Sequence, residues 1–424
     1  MAGTKYVIWF LTAILAICTF SASLRAQESR DGGGPPSIHF GEWLVVNPRA
    51  KIQLDLNAFR PELEDKRKVF QARRLRFGLD GSLFRDLGYT VRVETKKTDP
   101  EFRDIFLKYQ RFKSFQLQAG RFKIPFGLDQ LTDSGELDFV HRSRIGSIVA
   151  PGRDTGAMVL GDVLEGTINY SAGVFRHDGK NSEIEDLAAN TEFLPGGNRT
   201  IAARATMKPA ALLSVPAPLR ELRIGAAITQ SDLVTGLSSL PGVTVSHQVF
   251  FPRMYAGGTR VRRGAELSGE FGSLTIKGEF MEARDQRIGQ GLRGENLPSL
   301  RTRGWYASAV QPVLGRFDKQ SRVGFLRSIL PDKGLGLLEA TARYEVIRFS
   351  SGAADSVAPS RNPRAANVVA NESRAWTLGM NWHASRYLKL QFNSVRETFS
   401  DPVRTPINGE SDYWTLVARL QLYF

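Results

Sequence analysis

From about residue 50 to its last residue the chain alternates apolar and polar side chains with a period of two. The pattern recurs in sixteen segments: 51–58, 70–80, 88–96, 102–110, 114–122, 154–161, 166–175, 200–208, 221–230, 259–271, 273–284, 302–312, 337–349, 374–383, 387–398 and 413–424. A helix repeats every 3.6 residues, so a strict period of two marks extended strands with two chemically different faces. In 51–58, Ile52, Leu54, Leu56 and Ala58 oppose Lys51, Gln53, Asp55 and Asn57. In 337–349, Leu338, Ala340, Ala342, Tyr344 and Val346 oppose Glu339, Thr341, Arg343 and Glu345. The Gly272-Ser273 pair between two such segments reads as a hairpin turn.

Most segments run 8 to 13 residues, longer than the five or six usual in soluble sheets. A strand tilted by about 45° needs roughly 9–11 residues to cross a bilayer. Hydrocarbon offers no partner to backbone N–H and C=O groups, so spanning strands must close into a barrel. Sixteen strands leave a lumen wide enough for water, and the charged faces then meet water inside while the apolar faces meet lipid. The expected fold class is therefore all-β, a sixteen-stranded antiparallel transmembrane β-barrel. Trp305, Tyr306, Trp376, Trp382 and Trp414 lie near segment ends, as interfacial girdles would. A secreted soluble β-rich binding protein is the competing reading, because alternation alone does not tell a sandwich from a barrel.

Export fits this fold. Lys5 precedes an apolar run, Tyr6 to Phe20, and small residues lead to Ala26, so residues 1–26 are expected to be a cleaved signal peptide. The one cysteine, Cys18, falls inside it, which leaves the remainder without disulfides or thiolate metal sites. Residues 27–49, which open with QESRDGGGPPS, are expected to be an N-terminal periplasmic linker, and 50–424 the barrel. The formal charge is +14, which favours anions as partners.

The alternation breaks once at length. After the strand 114–122 comes "RFKIPFGLDQLTDSGELDFVHRS" (121–143), in which proline removes a ladder donor and glycine permits a bend. Gly120, Phe122, Lys123, Pro125, Phe126 and Gly127, with Phe139, Arg142 and Ser143 beyond, resemble the most characteristic stretch of the phosphate-selective porin O and P family. "RRLRFGLDGSLFRDLGYTVRVE" (73–94), "YSAGVF" (170–175), "GWYASAV" (304–310) and "LLEATARYEVIRFS" (337–350) stand in the order that family shows, and the resemblance covers about 50–424. The chain also ends within a strand on Phe424, as bacterial outer-membrane barrels characteristically do.

The resemblance implies a homotrimeric porin in the bacterial outer membrane, surrounded by lipid. It implies a passive, water-filled, anion-preferring channel for inorganic anions such as phosphate, with a constriction loop (123–153) folded inward after the fifth strand. Arginine suits phosphate because its planar fork bonds two oxygens at once. Candidate anion-binding residues at the constriction are Arg121, Lys123, Arg142, Arg144 and Arg153. Candidates on the pore wall are Arg74, Arg76, Arg92, Arg204, Arg223, Arg260 and Arg262. The same loop carries Asp129, Asp133, Glu136 and Asp138, so its own charge is nearly balanced, and a non-specific diffusion porin is the alternative reading.

No enzyme is expected, and no cofactor or metal. "GQGLRG" (289–294) fits GxGxxG, but Glu295-Asn-Leu-Pro298 follows and no helix starts there, so it reads as a loop. The five histidines show no HExxH spacing. His141 and Ser143 would need an oxyanion hole to act as a nucleophile pair. Basic charge alone could suit nucleic acid, but the export signal and the alternation speak against it.

Overall fold

The computed structural model describes residues 37–60, 69–95, 100–182, 199–211, 219–315, 336–406 and 409–424. The expected signal peptide lies outside them. Sixteen long strands form one closed antiparallel barrel. In chain order they are β1 (Leu44–Arg60), β2 (Phe70–Leu83), β3 (Leu87–Glu94), β4 (Glu101–Phe112), β5 (Phe115–Lys123), β6 (Arg153–Val163), β7 (Ile168–Phe175) and β8 (Thr200–Met207). The second half comprises β9 (Arg223–Gly236), β10 (Ala256–Phe271), β11 (Leu274–Arg287), β12 (Leu297–Leu314), β13 (Leu337–Ser351), β14 (Asn371–His383), β15 (Leu388–Phe399) and β16 (Asp412–Tyr423). Each of the sixteen alternating segments became one strand. Each strand pairs with its successor, and β16 pairs with β1 from Trp414↔Arg60 to Tyr423↔Lys51. Closure leaves no unpaired edge to face lipid.

The faces sort as the two solvents require. On β16, Leu416 and Leu420 are exposed on the outer wall, while Thr415, Arg419 and Gln421 are buried inside. Trp305, Trp376 and Trp414 are exposed on the outer wall of β12, β14 and β16, as a girdle should be. Tyr306 is a correction to the expected girdle. It is buried on the inner wall and its hydroxyl donates to Glu279 at 2.8 Å, because alternation turns it away from Trp305.

The expected linker also ends too late. Residues 44–49 already belong to β1, and a short strand, Ile38–Phe40, pairs with its first residues. Pro48 hides this start by breaking the alternation, yet Arg49 is fixed to Asp80 of β2 at 2.5 Å.

Two bulges change which arginines face the pore. Gln53 pairs with Arg74 and Leu54 with Ala72, so Arg73 is an extra residue in β2. Arg92 pairs with Asp104 and Val93 with Phe102, so Arg103 is an extra residue in β4. A bulge inserts one residue and re-aims its side chain.

Among the described connections, Gly272-Ser273, 113–114 and 384–387 are short turns at one rim. The long loops 124–152, 237–255, 288–296 and 352–370 stand at the other. "GQGLRG" sits in the third of these, as a loop.

Candidate functional site

The loop 124–152 folds into the tube. It contains two short helices, α1 (Leu128–Leu131) and α2 (Arg144–Ile148). The motif glycines make its entry possible. Gly120 has φ +131 and a Cβ there would lie 2.2 Å from the Ile105 carbonyl oxygen; Gly127 has φ +80 and a Cβ would lie 2.5 Å from the Met281 methyl. Both conformations favour glycine. Gly120→Ala, which faces immovable backbone, is expected to cost more than about 1 kcal/mol and to lower the temperature at which the folded band is lost on unboiled gels.

The loop is tied to the opposite wall through its own polar groups. Gln53 donates to the Ser134 carbonyl at 3.0 Å, Lys389 to Leu137 O at 2.9 Å, and Arg419 to Val140 O at 2.6 Å. The Val140 N–H donates to Asn393 Oδ1 at 2.8 Å. Arg419 is itself held by both oxygens of Asp55 at 2.6 and 2.7 Å. Backbone that leaves a sheet to cross a lumen must find such partners.

The three aspartates of the loop are spent on anchoring, while Glu136 is exposed. Asp133 pairs with Lys51 and accepts from Gly135 N at 2.7 Å. Burial alone would raise its carboxyl, but Lys51 outweighs burial and holds it well below the ordinary range. Asp138 accepts from Lys277 at 2.6 Å. Asp129 accepts from the Ser143 N–H at 2.8 Å, and Ser143 Oγ accepts from Gly146 N at 3.1 Å, capping α2. Ser143 is thus a helix cap rather than a nucleophile.

A second loop, 237–255, also enters the lumen. Strand alternation skips this stretch and gives no sign of its inward course. A two-stranded turn, Gly242–Val243 with Val249–Phe251, carries it. Val245 packs on Ala375 and Val395, and Phe250 and Phe251 pack on Phe349 and Phe399. The apolar run Val249-Phe250-Phe251 was the available signal, since a solvated loop has no use for it.

The expected constriction residues now separate by role. Arg144 is buried and bridges two wall carboxylates, with Glu397 at 3.1 Å and Glu345 at 3.5 Å, and donates to Ser373 Oγ at 2.6 Å. Glu397 also accepts from Val245 N at 3.3 Å, so one carboxylate holds both inserted loops. Lys123 donates to Leu131 O and Thr132 O, each at 2.9 Å. Arg153 is bidentate on Asp104 at 2.8 and 3.1 Å. Arg121 does not join them. It shares a face with Ile105 and Thr155, both exposed on the outer wall, and its partner is Glu101 at 3.7 Å. Alternation makes this plain in retrospect, because Phe122 next to it points inward onto Phe106 and Phe175.

Among the wall candidates, Arg260 and Arg262 are fully buried. Arg260 is bidentate on Asp285, at 2.6 Å through each nitrogen, and reaches Asp178 at 2.7 Å; Arg262 donates to Asp178 at 2.6 and 2.7 Å and to Val149 O at 2.7 Å. They correct the expectation of solvated pore charges: both lock loops to the wall. Arg204 pairs with Glu266, Arg76 with Glu94 at 3.0 Å, and Arg92 lies 3.7 Å from Asp133. Arg223 donates to Thr206 at 3.3 Å. Arg74 donates to Gln53 at 2.6 Å.

Arg73, Arg74, Arg142 and Arg144 converge on one cavity of about 80 Å³, between the two inserted loops and β2. The other lining residues are Val140, His141, Ser147, Ile148, Val243, Thr244, Val245 and His247. No carboxylate is among them. Arg142 donates to Thr132 O at 2.7 Å, but its Nη1 is buried without a partner among the described residues, as is His141 Nε2. Burial, then the arginines 73 and 419, keep the His141 imidazole well below its usual range. His141 therefore adds no positive charge to the cavity at neutral pH, and its arginines do. Its size admits several waters or one oxyanion. Sequence reasoning missed Arg73, since strict alternation assigns it to lipid until the bulge is seen.

A closed sixteen-stranded tube with loops folded across a wet, charged lumen defines a porin-type channel of the bacterial outer membrane. The chain belongs to the phosphate-selective porin O and P family, whose profile matches residues 46–206 and 253–424. No curated protein sequence matches it. Solved structures share the fold at low identity. One is a loop L8 deletion mutant of OmpT, an outer membrane protein of Vibrio cholerae (TM-score 0.56, 12% identity, 89% of this chain and 99% of that one). Another is the outer membrane channel DcaP of Acinetobacter baumannii (0.55, 11%, 92% and 100%). A third is Salmonella typhi OmpF in complex with daunomycin (0.55, 9%, 92% and 100%). Family and fold are those of channels rather than enzymes.

Proposed function

We propose that the protein is a passive diffusion channel preferring anions, with phosphate-like oxyanions as the solutes it recognises best. One observation carries this reading: the cavity at the inserted loops is lined by Arg73, Arg74 and Arg142, with the carboxylate-paired Arg144 and two histidines, and by no aspartate or glutamate. Rings of arginine select anions, and a guanidinium fork matches an oxyanion. The near balance of charge in loop 124–152 does not weaken the reading, because its aspartates pair with Lys51, Lys277 and the α2 cap while Arg142 faces the cavity.

Export with cleavage after residue 26 and assembly as a homotrimer belong to the same proposal. OmpT of Vibrio cholerae is described in a trimer form, and β4 and β5 here expose Phe102, Leu107, Phe112, Phe115 and Leu117. The first test is block of chloride current by phosphate in planar bilayers. Added phosphate is expected to reduce the current saturably, and Arg142→Ala to weaken the block by about tenfold, the loss of one charged hydrogen bond. An unchanged current at every phosphate concentration would leave a non-specific pore.

A further inference from the structure

The outer wall carries arginines that the pore cannot use. Arg263 of β10, Arg303 of β12 and Arg348 of β13 are exposed on that wall. The ladder Arg263↔Glu282, Glu282↔Arg303, Arg303↔Arg348 and Arg348↔Glu372 places them on one rung across five strands. Arg284 and Arg301 pair on the next rung towards the long-loop rim. The belt continues through Arg374, one rung lower on β14, and Arg396, one lower again on β15. It thus steps down steadily as the strands pass.

Its charge is not balanced. Arg374 pairs with Glu372 at 2.8 Å, Arg396 with Asp412 at 2.6 Å, and Arg301 lies 3.9 Å from Glu282. Arg263, Arg284, Arg303 and Arg348 have no ion-pair partner among the described residues. A closed sheet separates all of them from the lumen, so they add nothing to anion selection there.

Their height on the wall indicates what they meet. Below Arg348, the outward residues of β13 are Val346, Tyr344, Ala342, Ala340 and Leu338. Eight steps from Val346 to Leu338 span ~26 Å along the strand, or ~20 Å along the membrane normal at a tilt of about 40°. That nearly fills the apolar band of a barrel, about 25 Å tall. The belt sits just past its edge, directly above Trp305 and Trp376, at the level of headgroups. The first eight strands are poorer in such charge. Near the same rim their outer wall exposes Phe70, Phe102, Val174 and Ile201, beside Arg60 and the Glu101-paired Arg121.

We propose that the outer wall of β10 to β15 is a docking surface for phosphate-bearing lipid headgroups of the leaflet at the long-loop rim. Unpaired guanidinium groups at headgroup depth fork phosphate oxygens, and basic clusters at a membrane surface concentrate anionic lipid. The acyl chains of such a lipid would lie against Trp305, Trp376 and Trp414, which makes those rings built-in reporters. Arg396 already stands 5.5 Å from the Trp414 ring centre.

The test is tryptophan quenching of the full, folded chain in phosphatidylcholine vesicles. One set is doped with acyl-brominated phosphatidate and the other with the same fraction of acyl-brominated phosphatidylcholine. Phosphatidate is expected to associate about fivefold more strongly or better, with the preference lost at high salt. In a variant carrying Arg284→Ala, Arg303→Ala and Arg348→Ala the preference should vanish while conductance and ion preference stay unchanged, since none of the three faces the pore. Equal quenching by the two lipids, or a preference that survives the substitutions, overturns the proposal. So does an absence of quenching by both lipids, which would place another protein copy on this face. If the variant does not fold, the salt dependence of the wild-type protein decides: a preference indifferent to salt is not electrostatic docking. Loss of phosphate block in the pore would leave this result untouched, so the two proposals fail separately.

Discussion

Changing Arg73, Arg74 and Arg142 together to glutamate turns an anion-preferring pore into a cation-preferring one. The three side chains line the same cavity, and no carboxylate lines it with them. A unit charge about 7 Å from a passing ion contributes ~0.6 kcal/mol even at the dielectric constant of water. Six units of charge change in the triple variant, and salt screens part of the effect. A swing of roughly 10–100-fold in the ratio of anion to cation permeability follows, read from ion selectivity in planar bilayers. Loss of conductance without a change of preference would place the selective charges elsewhere. Arg260 and Arg262 would make a poor version of this experiment. They are as positive as the others, but with zero exposure and carboxylate partners they present no field of their own to the lumen.

Those two arginines support the second large effect. Asp178→Asn is expected to destabilise the folded channel by about 3–5 kcal/mol, the usual result of removing one member of a buried ion cluster. Asp178 accepts from Arg260, Arg262 and Ser231 at once, so its loss leaves two buried guanidinium groups short of charge. Arg262 also holds the Val149 carbonyl at the end of loop 124–152. The variant should therefore convert to the unfolded band at lower temperature and show a noisier open current. The wild-type protein gives the same answer through acid. Burial would raise the Asp178 carboxyl, but Arg262 and Arg260 outweigh it and hold it at about 2. A depressed carboxylate contributes stability that is fully present above its ordinary value and is lost as pH falls through the folded value. Stability should thus decline from about pH 4 to about pH 2, with the decline shallower in Asp178→Asn.

The barrel itself was legible because two solvents impose one rule on every strand. A residue on β16 such as Leu420 has to meet lipid and its neighbour Arg419 has to meet water, and this leaves a period of two in the sequence. The rule fails where local geometry breaks the period. Pro48 concealed the beginning of β1, and the bulges at Arg73 and Arg103 moved arginines across the wall without any change of composition. The inward loop could be read from its family resemblance, and Gly120 and Gly127 now give that stretch a steric reason. Its attachment could not be read. Arg144 finds Glu345 and Glu397 some 200 and 250 positions later, and nothing in the intervening chain marks them as its partners. The same holds for Asp178, which sits in an ordinary loop and yet decides that Arg260 and Arg262 are structural. Charge type was visible in the sequence; charge availability was a property of the packing.

The zero-current potential of the wild-type channel across a planar bilayer with a potassium chloride gradient tests the account most directly. Selection by the arginine-lined cavity predicts a potential of the sign set by chloride, moving towards zero when Arg73, Arg74 and Arg142 are neutralised. A wild-type potential of the sign set by potassium would contradict it.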